Sequence, residues 1–73
     1  MIVLDLKQTG MNLRKLREDR GLTICQLSKL IGVCKAPIYR WEAGDHMPTV
    51  DHLVFLSEFY KVPIDDIVAR KEV

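Results

Sequence analysis

The 73 residues predict a single all-α domain of five short helices. Three observations carry that expectation. Apolar residues recur three or four positions apart in successive stretches, as one face of a helix requires. Glycine and proline punctuate the chain between those stretches, at Gly21, Gly32, Gly44, Pro48 and Pro63. The length suits one small core rather than two domains, and an apolar fraction of 48% argues against disorder.

The first helix is predicted from about Gln8 to Arg20, with Leu13 and Leu16 as its core stripe. Asp5 with Gln8 reads as a capping box, and Gly21 as the stop. A second helix opens near Ile24, because the Thr23 hydroxyl can cap the N-terminus while Gln26, three residues on, reaches back. Leu27 and Ile31 then share an inward face, Ser28 is small enough to let a crossing helix approach, and Gly32 ends the helix. Gly32-Val33-Cys34 forms the turn. A third helix follows from about Lys35, with Pro37 in its first turn, where a missing N–H is tolerated. Ile38 and either Trp41 or Glu42 face inward, which leaves Lys35, Ala36, Tyr39 and Arg40 on the opposite face. Met47-Pro48-Thr49 breaks the chain and caps a fourth helix, about Val50 to Tyr60, in which Leu53, Leu56 and Tyr60 repeat at helical spacing. Beyond Val62-Pro63, the residues Ile64, Ile67 and Val68 give a short fifth helix. Asp65 and Asp66 lie in its first turn, where the helix dipole favours anions.

Two short helices joined by a tight glycine turn, spanning residues 24–43, are the outline of a helix-turn-helix, whose second helix can enter the major groove of DNA. Net charge is only +1, but it is unevenly spread. Residues 1–44 carry eight Lys and Arg against four acids, whereas residues 45–73 carry three against six. That polarity turns the N-terminal helices toward phosphate and the remainder away from it; the plainer alternative is that these charges only solvate helix faces.

Other classes find little support. The chain has no nucleophile beside an evident base and no phosphate-binding glycine loop, so an enzyme is not expected. Cys25 and Cys34 are the only cysteines and are not spaced as a CxxC pair. A zinc site from Cys25, Cys34, His46 and His52 would need all four at one point, which nothing requires; no metal or cofactor is expected. Cys34 reads instead as standing in for a capping serine or threonine, and Cys25 as a surface residue of the second helix. No apolar run approaches the roughly 20 residues that span a bilayer, and the start MIVLDLKQ lacks the features of a signal peptide. A soluble, cytoplasmic chain is the expectation, with no membrane partner.

The residues resemble the XRE, or lambda-repressor/Cro-like, helix-turn-helix family. The resemblance runs from about Gly10 to Ile67 through LRKLREDRGLT, QLSKLIGV, IYRWEAG, MPTVDHLVFLSEFYKV and IDDI. Its most specific part is GLT-x3-L-x3-IGV-x4-I-x2-WE-x-G. It implies one lambda-repressor-like DNA-binding domain with a core over residues 8–70, in which the second and third helices form the reading unit. It also implies an ion pair between Arg17 and Glu42 that joins the first helix to the end of the third. Relatives commonly place glutamine where this chain has Ile24, and a basic residue or asparagine in the loop where it has Ala43-Gly44-Asp45-His46.

A transcriptional regulator that binds a double-stranded DNA operator is therefore expected. Arg40 and Lys35 are the strongest candidates for base edges, since arginine offers two donors to guanine O6 and N7, worth roughly 1–3 kcal/mol of discrimination. Tyr39 and Ala36 join them on the same face, and Thr23, Ile24 and Gly44 are candidates for phosphate. Val54 and Phe55 project away from the inward face of the fourth helix, which suggests a homodimer that sets two reading helices one duplex turn apart. Regulation is expected through concentration or a regulatory protein partner. The alternative is a protein-docking module that keeps the fold without DNA affinity, favoured by Ile24, Asp45 and the apolar Leu30, Val54 and Phe55.

Overall fold

The computed structural model describes residues 1–73. It contains β1 (Ile2–Leu4), α1 (Leu6–Asp19), α2 (Ile24–Ile31), α3 (Lys35–Ala43), α4 (Val50–Tyr60), α5 (Ile64–Ile67) and β2 (Arg70–Glu72). All five expected helices are present. The all-α expectation needs one correction, because β1 and β2 pair antiparallel with Ile2 opposite Glu72, Val3 opposite Lys71 and Leu4 opposite Arg70. A three-residue strand whose partner lies at the far end of the chain has no local signature in sequence.

The ribbon also explains why α1 starts earlier than expected. Asp5 is its N-cap and accepts the Gln8 N–H at 3.0 Å, so the helix opens at Leu6 rather than Gln8. The predicted capping box is only half formed. The Asp5 N–H already donates to the Ala69 carbonyl at 2.9 Å, and the Gln8 side chain turns to Asn12 instead. Two further links fasten α1 to the C-terminal segment. The buried Thr9 hydroxyl donates to Asp5 O and accepts the Ala69 N–H, and Asn12 Nδ2 donates to Ile67 O at 3.1 Å.

The other helix ends follow the chemistry expected of them. Thr23 and Gln26 close a full capping box on α2, at 3.1 and 2.8 Å, and Gly32 leaves the helix with φ +71°, a conformation that costs glycine little. Thr49 caps α4 by accepting the His52 N–H. Cys34 sits at the N-cap of α3 but makes no side-chain capping bond, consistent with a thiol being a weak acceptor. Ser28 does more than stay small. Its hydroxyl donates to Val33 O at 2.6 Å and pins the turn into α3, and Ser57 does the same to Val62 O where α4 ends.

Leu13, Leu27, Ile38, Trp41, Leu56, Tyr60 and Ile67 form the buried core, one or two from each helix. Leu16, Leu53 and Ile31 pack around it, half-buried. No helix is long and apolar enough to cross a membrane.

Candidate nucleic-acid interface

The orientation of α3 is set from its buried side. Ile38 and Trp41 lie in the core, and Glu42 beside them is half-buried. Helical geometry then turns Lys35, Ala36, Tyr39 and Arg40 outward, and all four are exposed. One face of nine residues thus carries two cations, a phenol and a methyl group, the right mixture for base edges and phosphates.

The seam between α1 and the end of α3 holds that face in place. Arg17 donates through Nε and Nη2 to the two carboxylate oxygens of Glu42, at 2.8 and 2.9 Å, in the forked geometry that suits a carboxylate. Its third donor, Nη1, reaches Leu22 O at 2.7 Å and so ties the turn before α2 into the same junction. The two side chains are only 11% and 8% exposed. The bond to Glu42 outweighs the burial and raises the Arg17 pKa, so the guanidinium stays charged. Nearby, burial pushes the Tyr60 phenol up to about 12, and the charge of Glu42 acts in the same direction.

Two glycines let the backbones meet along this seam. A Cβ on Gly10 would lie 2.5 Å from Trp41 O and 2.6 Å from Glu42 O, and one on Gly44 would lie 2.8 Å from Lys7 Cα. Gly44 also ends α3 at φ +81°. Its N–H donates to Trp41 O at 3.2 Å and closes the last turn of the helix. Thr23 is exposed, with its hydroxyl accepting from Gln26 and its N–H given to the Gln26 side chain. The Ile24 N–H has no partner in the chain, while the Ile24 side chain packs half-buried against the core.

Sequence reasoning passed over two features near this face. Arg14 shares a recess with Tyr39 and Ile24, and its position on α1 gave no hint that it would meet α3. A second recess, about 240 Å³, lies between α3 and α4 and is lined by Arg40, His46, Thr49 and His52, with the His52 ring 5.2 Å from that of Trp41. Cys25 and Cys34 are exposed free thiols, and no three His, Cys, Asp or Glu side chains converge as metal ligands would. Away from α3, Val54 and Phe55 are 46% and 47% exposed, and Phe55 stacks on Phe59 with centroids 6.3 Å apart. Leu30 on α2 is exposed as well.

Two short helices at the front of a five-helix domain, the second with its polar face free, define a helix-turn-helix protein. A model of the helix-turn-helix family matches residues 13–67, and the chain belongs to that family, in its XRE-type branch. It is 39% identical over 56 residues to YobD of Bacillus subtilis, named as an uncharacterized HTH-type transcriptional regulator, covering 77% of this chain and 50% of that protein. It is 33% identical over 60 residues to the HTH-type transcriptional activator BcrR of Enterococcus faecalis, covering 82% of this chain and 29% of BcrR. The chain thus spans half or less of the length of these curated relatives. Among solved structures, the crystallised DNA-binding domain of BldD superposes with a TM-score of 0.78 at 28% identity, over 89% of this chain and 94% of that one.

Proposed function

We propose that the protein is a transcriptional regulator that reads a DNA operator with the outward face of α3 in the major groove. The observation that carries this reading is the division of α3, with Ile38 and Trp41 in the core and Lys35, Ala36, Tyr39 and Arg40 free on one side. The regulator names borne by relatives and the DNA-binding domain of BldD support it. In this reading Arg40 and Lys35 meet base edges, Tyr39 and Ala36 supply apolar contact, and Thr23 and Ile24 present the open end of α2 to a phosphate. A homodimer through Val54 and Phe55 sets two reading helices about 34 Å apart on a palindromic operator, and a regulatory protein partner is a further candidate for the same apolar face.

Selection of bound sequences from random duplex DNA tests the reading. Enrichment of a palindromic motif is expected, and Arg40→Ala should relax preference at one position of the motif by about 1–3 kcal/mol. A selection that enriches nothing, even at low salt, would favour a protein-docking module instead.

A further inference from the structure

We propose that Arg14 is a DNA-backbone clamp that exchanges its partner Glu18 for a phosphate, an inference that rests on the DNA-binding reading above. Arg14 and Arg17 lie three positions apart on α1 and have different fates. Arg17 has committed Nε and Nη2 to Glu42 and Nη1 to Leu22 O. Arg14 donates through Nε to Glu18 at 3.1 Å, one helical turn away, and the two side chains are 63% and 53% exposed. Exposed pairs one helical turn apart are weak, so a competing anion displaces the carboxylate at little cost.

The recess explains why that anion is a phosphate of the duplex. Arg14, Arg17, Ile24, Tyr39, Glu42 and Ala43 line about 300 Å³ where α1, the start of α2 and α3 meet. Within the lining, Arg17 and Glu42 neutralise each other, and the charge left over is the single positive charge of Arg14, which matches one phosphodiester. Ile24 brings an apolar wall and no side-chain donor. The side-chain donors left without a partner are therefore the two Nη groups of Arg14 and the Tyr39 hydroxyl, and Tyr39 stands on the face of α3 that the reading places in the groove. An arginine from a helix that never enters the groove thus shares a chamber with a side chain that does. Glu18 lies outside the lining. Binding then needs no refolding, only a rotation of the guanidinium from one acceptor to another.

The test is affinity for a mixed-sequence duplex as a function of salt, for the wild type, Arg14→Gln, Glu18→Gln and the charge-matched control Lys29→Gln. Arg14→Gln should weaken binding and lower the slope of log affinity against log salt by about one, the signature of one lost phosphate contact. Glu18→Gln should strengthen binding, because the competing carboxylate is gone, while Lys29→Gln should keep the wild-type slope. A wild type that binds no duplex at any salt would remove the DNA reading and the clamp with it. A wild type that binds while Arg14→Gln retains its salt slope, or while Glu18→Gln fails to bind more tightly, would overturn the clamp alone. Because Glu18→Gln leaves Arg14 in place, it decides the matter even if Arg14→Gln loses thermal stability.

Discussion

The α1–α3 seam and the outer face of α4 show two opposite uses of the same small chain. At the seam, backbones approach closely enough that Gly10 and Gly44 have no room for a methyl group, and a forked, largely buried ion pair between Arg17 and Glu42 joins the same two helices. On α4, three large apolar side chains, Val50, Val54 and Phe55, stand uncovered. One region spends its contacts on fixing the angle of α3. The other keeps its contacts in reserve. A domain with a core of seven buried side chains cannot tighten every surface, so the tight one marks where geometry matters.

The largest effect that would break this contrast is expected at Glu42. Glu42→Ala leaves Arg17 buried without its partner, which should cost about 3–5 kcal/mol; an exposed pair would cost under about 1. Thermal melts with matched chemical denaturation distinguish the two, and the smaller value would mean that the seam is no firmer than the surface.

Tyr60 offers a probe of the same junction by pH. Its phenol titrates near 12 in the fold against 10 in the unfolded chain, so the folded state holds the proton longer. This stability is fully present below pH 10 and is lost as pH rises from 10 to about 12. Urea titrations at pH 9 and 11 should show the fall in the wild type and a smaller one in Tyr60→Phe. Equal slopes in both proteins would mean that another group drives the alkaline loss.

Gly10→Ala should come next, at roughly 1–3 kcal/mol, because the added methyl meets backbone carbonyls that cannot swing aside. The same melts would show it. An unchanged midpoint would mean that α1 and α3 slide apart freely. The smallest effect on stability is expected on the other side of the comparison. Phe55→Glu should shift folding by no more than about 0.5 kcal/mol, as exposed substitutions do, while abolishing self-association in sedimentation. Wild type and variant both running as monomers, with and without operator DNA, would end the case for a dimer through α4.

Legibility divides along similar lines. The helix limits at Thr23, Gly32, Thr49 and Gly44 could be read directly, since each is a local signal of capping or of left-handed backbone that acts within a few residues. The outward face of α3 was equally readable from helical period. Where a residue's partner lay far away, its role was hidden. Gln8 was assigned to a capping box because nothing in its neighbourhood reveals that the Asp5 N–H is taken by Ala69. In sequence Ser28 is merely small, yet its hydroxyl holds the turn between α2 and α3. Nothing around Arg14 sets it apart from the other charges of α1, and only the packing of three helices brings it to the same recess as Tyr39. The Arg17–Glu42 pair was foreseen only through family resemblance, as a separation of 25 residues carries no periodic signal.

The ribbon of β1 and β2 brings residues 1 and 73 side by side, with the Val73 N–H donating to Met1 O at 2.9 Å. Two segments from opposite ends of the sequence are thereby held as one exposed ribbon. Polypeptide joined at residue 1 and polypeptide joined at residue 73 would therefore leave the domain from the same point, the open end of the ribbon, so a short linker between the two strands should leave the helices and their caps as they are.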